Sequence, residues 1–296
     1  MNLVAGATGM VGGEVCRLLR ARGEPVRALV RATSPAEARD RLRALGCEIA
    51  FGDLRDGAGL AAACRDAQAV ISTVSAMPHA WDPGGNTVAA VDRDGQLRLI
   101  DAARDAGVGR FVLVSFSGQI DRPFPLRDAK RAAEQHLRAS GIGHTILRPS
   151  FFTEIWLGPK VGFDLTAGRV TIYGDGTAPI SWISFVDVAR FAVAALLDAA
   201  ARNQTLELGG PEALSPLEVV RRWEALGGRP LEVVHVPVAA LEAQLAVATD
   251  DLQRSFTSLM LCHAAGDAIP MADMLRRFPL EPSPVDDWLR RQRAYA

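Results

Sequence analysis

The stretch "GATGMVG", residues 6–12, follows the apolar run "LVAG" (3–6) and leads into the helical pattern "VCRLLRARG" (15–23). A glycine turn between a strand and a helix is the shape that a dinucleotide pyrophosphate requires. Gly6 permits the tight turn, Gly9 lets backbone approach the phosphates, and Gly12 allows the helix to pack closely on the strand. The start of the helix adds N–H groups without intrahelical partners and the positive end of the helix dipole. The spacing by itself marks only a glycine-rich strand-to-helix turn, so its meaning depends on the chain around it.

That chain alternates. Short apolar or β-branched runs, "VRALVR" (26–31), "CEIAFG" (47–52), "AVISTVS" (69–75), "RFVLVSFS" (110–117) and "HTILRPS" (144–150), are separated by amphipathic stretches. The clearest of these are "LAAACRDA" (60–67), "GQLRLIDAARDAG" (95–107) and "AKRAAEQHLRASG" (129–141). Glycine stands just beyond several of them, where a helix C-terminus needs it. Strand, helix, strand in this repetition predicts right-handed crossovers and a parallel sheet covered on both faces. Residues 1–150 are therefore expected to form an α/β, Rossmann-type doubly wound parallel sheet that binds NAD(P). Residues 151–296 are expected to form a smaller C-terminal α/β substrate-binding region, partly interleaved with the first. In this setting the turn is expected to bind the cofactor through Gly6, Thr8, Gly9, Met10, Val11 and Gly12.

The end of the second strand bears on which dinucleotide is held. An NAD site usually carries Asp or Glu there, about 20 residues after the turn, to accept from a ribose hydroxyl. Here the strand ends "LVRATS", with Arg31, Thr33 and Ser34 and no carboxylate. A guanidinium fork pairs with a 2′-phosphate through charge-assisted bonds, which makes NADP(H) the expected cofactor; the alternative is a solvated strand-end arginine.

The 296 residues are 49% hydrophobic and 23% charged, with a net charge of −1, which gives no long-range attraction to polyanions. Nucleic acid and membrane surfaces are not expected partners; a small-molecule substrate is, and a homo-oligomer stays open. The longest apolar run, "FAVAALL" (191–197), is too short to cross a bilayer. The start "MNLVAGATG" has no basic leader before an apolar stretch, so no targeting segment is expected. Cys16, Cys47, Cys64 and Cys262 show no CxxC or metal spacing and read as reduced thiols of a cytoplasmic protein. His136, His144, His235 and His263 show no metal spacing either, and no metal is expected.

In order and spacing, "GATGMVG", "VRALVR", "GDL" (52–54), "AVISTVS", "VLVSFSG" (112–118), the helix of Lys130 and "ILRPSFF" (146–152) resemble the NmrA-like, or atypical, short-chain dehydrogenase/reductase family. Isoflavone-reductase-like enzymes, type 2 quinone oxidoreductases, triphenylmethane reductases and redox-sensing regulators are similar in this way. The resemblance covers about residues 1–200 and thins beyond them. It implies that Asp53 and Leu54 lie beside the adenine and that Thr73, Val74 and Ser75 pass along the cofactor. It also implies that Ser115, Phe116 and Ser117 end the fifth strand at the nicotinamide side, with Ser117 polarising the acceptor, and that Pro149, Ser150, Phe151 and Phe152 flank the ring. Asp53 has an alternative reading as a turn-forming residue, and the serines as polar ends of buried strands.

Most short-chain dehydrogenases place a tyrosine four residues before their lysine; here that position is Leu126, and the two tyrosines, Tyr173 and Tyr295, lie elsewhere. The resemblance to isoflavone-reductase-like enzymes implies that the lysine acts as general acid or base, or holds the cofactor ribose. Composition bears on the same position. Of 33 Lys+Arg, only Lys130 and Lys160 are lysine. An ammonium hands over a proton near neutrality once its pKa falls, and a guanidinium does not. A chain that writes its positive charge as arginine is expected to keep lysine where arginine fails, which makes Lys130 the expected catalytic group. The alternative is a surface residue paired with Glu134 one turn on.

Farther along, "GRVTIYGDGTAPISWIS" (168–184) predicts a hairpin turning at Gly-Asp-Gly, and Asp187 is expected to stabilise the start of the following helix. Ser215-Pro216-Leu217-Glu218 has capping-box form. Residues 239–266 predict helical cover, with Met260 and Leu261 as core. Ligands of open α/β sheets gather beyond the carboxyl ends of the strands, which selects His79, Trp81, Phe152 and Trp156 as substrate contacts. Aromatic walls suit a flat, apolar acceptor. The expected activity is an NADPH-dependent reductase acting on a quinone, enone, imine or carbonyl. The competing expectation is an NADP sensor without chemistry, and the missing tyrosine at 126 counts against an epimerase or dehydratase.

Overall fold

The computed structural model describes residues 1–77 and 85–295. Strand β1 (Asn2–Ala5) is buried at all four positions, as an inner strand of a parallel sheet must be when helices cover both faces. The chain continues through α1 (Met10–Ala21), β2 (Val26–Val30), α2 (Ala36–Ala44), β3 (Glu48–Phe51), α3 (Leu60–Cys64) and β4 (Ala69–Ser72). A π-helical turn, Val88–Arg93, runs directly into α4 (Asp94–Asp105), followed by β5 (Arg110–Val114), α5 (Pro125–Ala139) and β6 (Gly143–Pro149). The sheet order is β3-β2-β1-β4-β5-β6, with β9 (Gln204–Leu208) outermost beside β6.

The pairings β1 with β2 and β4, β2 with β3, β4 with β5 and β5 with β6 are all parallel. The order 3-2-1-4-5-6 is that of a dinucleotide-binding sheet, whose strand order reverses between β1 and β4. Because the strands are parallel, the ends of β1, β2, β4 and β5 face one edge, and each residue expected at a cofactor from these strands emerges there. Leu3, Val70, Leu99, Ile100, Phe111, Leu113, Leu137 and Ile146 form the centre of this core, each essentially inaccessible. Helix α5 packs by its 126–129–133–137 stripe, and the same buried face carries Lys130 and Glu134.

The chain divides into two compact units. The first comprises 1–116, 125–148 and 188–206, and the second 117–124, 149–187 and 207–296. Within the second, β7 (Phe163–Asp164) pairs antiparallel with β8 (Arg169–Tyr173), which pairs parallel with β10 (Glu232–Val236). The expected hairpin over 168–184 does not form. Gly174 and Gly176 turn the chain with φ of 75° each, but the following segment leaves β8, and Ile180 makes bridges to Leu214 and Asp267 instead. The Gly-Asp-Gly signal located a turn but not the partner of the next strand, because long-range pairing decides that.

Ser215 and Glu218 form the expected capping box of α8 (Pro216–Ala225). The predicted helical cover is two helices, α9 (Val238–Val247) and α10 (Asp251–Ala265), with Asp250 capping the second by accepting from the Gln253 N–H. Met260 and Leu261 pack with Tyr173 and Leu241 as core. Helix α7 (Phe185–Leu197) carries Asp187 in its first turn, where the buried carboxylate accepts the backbone N–H of Ser283 at 2.7 Å. Among the described residues no helix is long and apolar enough to cross a membrane, and no group of three His, Cys, Asp or Glu is placed to hold a metal. All four cysteines are free thiols.

Candidate functional site

The turn after β1 is built on two glycines that tolerate no side chain. Gly6 sits at φ +82°, in the left-handed region, and a Cβ there would lie 2.5 Å from Thr73 Oγ1. A Cβ on Gly12 would lie 2.2 Å from the Gly6 carbonyl oxygen, so α1 approaches β1 only because this position is bare. The N-cap of α1 is Gly9, which offers no capping side chain, and no acidic residue occupies the first turn. The N–H groups at this helix start are therefore left to a ligand, and with the dipole they favour an anion. Thr8, Gly9 and Met10 are exposed along the turn, whereas Val11 is buried and presents backbone alone. These features fit a dinucleotide pyrophosphate.

Arg31, at the end of β2, donates from Nη1 to Asn86 Oδ1 at 2.9 Å. Its other N–H groups make no further hydrogen bond among the described residues. Asp53 makes the turn that was its alternative reading: Oδ1 accepts the Arg55 backbone N–H at 2.9 Å, and the Arg55 guanidinium pairs with Oδ2 at 2.6 Å. Burial opposes ionisation of Asp53, but the Arg55 hydrogen bonds and the charges of Arg55 and Arg31 outweigh it and hold the carboxyl below its ordinary range. Leu54 is buried beside it.

The ends of β4 and α5 meet at Lys130. Its side chain is only 5% exposed, and Nζ donates to the Val74 carbonyl at 2.9 Å while lying 2.9 Å from Asp92 Oδ1. Asp92 comes from the π-helical turn, is fully buried, and accepts the Ala76 N–H on Oδ2 at 2.9 Å. Gln96, one turn on, accepts from Ser72 Oγ at 3.0 Å and donates to the Val74 carbonyl at 3.4 Å. Thr73 closes the same loop by donating from Oγ1 to the Ala5 carbonyl. Thr73 and Val74 are thus tied to β1, Gln96 and Lys130, with the lysine bound at the middle of the 73–75 loop.

The alternative reading of Lys130 as a surface residue paired with Glu134 does not hold. Glu134 is fully buried and accepts from Ser115 Oγ at 2.6 Å, Arg131 at 2.6 Å and Arg148 at 2.5 Å. Burial disfavours its charge, yet the hydrogen bonds from Arg148 and Ser115 and the arginine charges keep its carboxyl below the usual range. Arg131 also donates to the Phe116 carbonyl and lies 5.0 Å over the Phe116 ring, so this cluster fixes the end of β5.

The second unit holds the remaining expected residues. Ser117 is fully buried, and its hydroxyl donates to Asp267 Oδ1 at 2.7 Å. That donor is committed within the protein, which leaves Ser117 poorly suited to polarise an acceptor. Burial raises the Asp267 carboxyl above its ordinary range, against the Ser117 and Ser150 hydrogen bonds. Pro149 and Phe151 are buried, and half-buried Phe152 bridges to Ile183 and precedes α6 (Thr153–Trp156). His79 and Trp81 lie outside the described residues. Tyr173 donates its hydroxyl to the Val161 carbonyl at 2.8 Å, so it serves packing rather than proton transfer.

Trp156 stacks on His263 with centroids 5.0 Å apart, and Phe151, Tyr173 and Trp182 complete an aromatic box around the imidazole. Burial pushes His263 down from 6.5 to about 3. The unfolded chain takes up a proton that the folded protein refuses, so this contribution to stability is present above about pH 6.5 and is lost progressively as the pH falls from there to about 3. Between pH 7.5 and 5.0 the loss is about 2 kcal/mol. Denaturant unfolding at the two pH values should show it, and His263→Phe should remove that part of the difference.

Several of these partners escaped the sequence reading. Glu134 had a signal: it falls at helical spacing from Leu126 and Lys130, on the face buried by Ala133 and Leu137. Asp92 had a weaker one, one turn before Gln96 and two before Leu99 but ahead of the expected helix start. His263 and Asp267 are assembled by tertiary packing and carry no local signal.

The NmrA-like family model matches residues 2–281. The chain is 33% identical over 244 residues to an NAD(P)H azoreductase of Xenophilus azovorans, covering 80% of this chain and 77% of the relative. It is 30% identical over 276 residues to the photosystem II assembly factor Ycf39 of Synechocystis sp., covering 92% and 79%. An NADPH-dependent quinone oxidoreductase from Escherichia coli, crystallised with NADPH, superposes with a TM-score of 0.78 at 20% identity over 99% of both chains. The chain belongs to the NmrA-like family.

Proposed function

We propose that this member of the NmrA-like family is an NADPH-dependent reductase that passes hydride to a small, flat, apolar unsaturated acceptor such as a quinone, azo compound, enone or imine. The reading is carried by one observation: the buried Lys130 is bonded to Val74, in the middle of the loop expected to run along the cofactor. An NADP sensor needs the phosphate turn and would use this lysine only to hold the ribose, whereas a reductase also has a proton for it to move. The azoreductase relative supports the acceptor class by its name.

When bound, NADPH supplies the hydride, and the overall change is acceptor plus NADPH plus one proton giving the dihydro product and NADP⁺. The protein's part is to hold and to protonate. Gly6 to Gly12 and the start of α1 hold the pyrophosphate; Arg31, steadied by Asn86, holds the 2′-phosphate; Thr73 to Ser75 form a wall; and Lys130 Nζ delivers the proton. Asp53 and Leu54 sit at the adenine side, with Ser115 and Phe116 fixed by the Glu134 and Arg131 cluster. Within the second unit, half-buried Phe152 and Trp156 are the aromatic residues left with surface to offer an acceptor.

Cofactor choice is a separate test. NADPH should bind at least about tenfold tighter than NADH, since about 1.4 kcal/mol is a modest contribution from one charge-assisted fork. Arg31→Ala should weaken NADPH alone, and titration of nicotinamide fluorescence measures both. Equal affinities in the parent would remove the 2′-phosphate assignment. Oxidation of NADPH with a panel of quinones, azo dyes, enones and imines tests the activity, and tight binding without oxidation would favour sensing.

A further inference from the structure

Resting on the reductase reading above, we propose that Asp92 is the positioning residue for Lys130. Its carboxylate bridges the ammonium and the Ala76 N–H, and so sets where the proton donor stands relative to the cofactor loop. Both members of the pair are buried, with side-chain exposures of 5% for Lys130 and 0% for Asp92. Two buried opposite charges are costly to assemble, and a well-packed apolar pair in their place is often neutral or stabilising. A charge pair kept in the core of a chain with ample apolar residues therefore points to a use for the charge.

The geometry gives that use. Lys130 Nζ has three donors; the Val74 carbonyl takes one at 2.9 Å, and Asp92 Oδ1 faces the ammonium at 2.9 Å. A donor remains for a ligand. Asp92 Oδ2 is meanwhile tied to the Ala76 N–H at 2.9 Å, so one carboxylate fixes both the lysine and the loop beneath it. The residue stands in a π-helical turn, Val88–Arg93, a local widening that is frequent at functional sites because it re-aims a side chain without ending the helix. Without Asp92 the long lysine side chain keeps Val74 as its one anchor and loses its fixed direction, and small misplacements of a reacting group can cost about a hundredfold in rate.

Asp92→Asn keeps the shape but removes the charge and one of the two acceptors. It should lower kcat by roughly tenfold to a hundredfold, while NADPH affinity changes by less than about threefold because the phosphate turn is untouched. A second readout needs no turnover. With lysine ¹⁵N-labelled, the chain has two ammonium groups, and Lys160 is exposed. The parent should show a protected Lys130 NH₃⁺ cross-peak that disappears into solvent exchange in Asp92→Asn. If Asp92→Asn does not fold, Asp92→Glu shifts the carboxylate by one methylene and should likewise lower kcat with NADPH affinity kept.

Parental kcat in either folded variant, or an unchanged ammonium signal in Asp92→Asn, would overturn the inference. A parent protein that fails to oxidise NADPH with every acceptor of the panel would instead overturn the reductase reading, and the ammonium signal would still report whether Asp92 holds Lys130.

Discussion

Lys130→Met and Lys130→Arg are each expected to lower turnover by about a hundredfold or more, the usual scale for a general acid. Both should leave NADPH binding largely intact. Methionine removes the transferable proton; arginine keeps the charge but brings a larger, planar group that stays protonated into a position enclosed by Val74 and Asp92. The two differ in stability. Methionine leaves Asp92 buried without its cation, a loss of about 3–5 kcal/mol, which at roughly 2–4 °C per kcal/mol for a chain of this size lowers Tm by about 10 °C. Adding Asp92→Leu to Lys130→Met should restore most of that stability and none of the activity. Steady-state kinetics well below Tm, with thermal melts of the four proteins, separate the two effects. Full activity in Lys130→Arg would remove the proton-donor role.

Gly12→Ala is expected to weaken NADPH binding by about a hundredfold, equivalent to about 2.7 kcal/mol. The added methyl carbon would stand 2.2 Å from the Gly6 oxygen and 2.6 Å from its carbon, both backbone atoms that cannot swing aside. Helix α1 must retreat from β1, and its N–H groups move away from the phosphates they are proposed to hold. Gly13→Ala is the control. Its methyl carbon would meet only the Ala7 oxygen, at 3.4 Å, an ordinary contact, so affinity should stay within about threefold and the helix should gain slightly from alanine's propensity. Isothermal titration of NADPH into the two variants compares them directly.

These two predictions mark how far the sequence could be read. The turn, the sheet and the strand ends were legible because each rests on a local signal: glycine spacing, apolar runs of strand length, and helices with a buried stripe. Composition singled out Lys130, and the structure buries it against Asp92. Its surroundings were not legible, because Asp92 lies 38 positions before it in the numbering and reaches it from a π-helical turn that ordinary helical spacing does not anticipate. Glu134 was read as solvated although the period of α5 places it on the buried face. The failed hairpin after Tyr173 and the Ser117–Asp267 pair have the same cause: the residues that decide them are brought together only by tertiary packing.

The account's central claim is hydride transfer from NADPH to an unsaturated acceptor, and isotope labelling with an acceptor that keeps the new hydrogen on carbon tests it most directly. NADPH carrying deuterium on one face of nicotinamide C4 would be incubated with the protein and an enone or imine, and the product examined by mass spectrometry. The account predicts one deuterium, fixed to carbon, for the label on one face and none for the other. NADPH that binds tightly but stays reduced with every acceptor class, or is oxidised by the enone or imine without placing deuterium in its product, would contradict it.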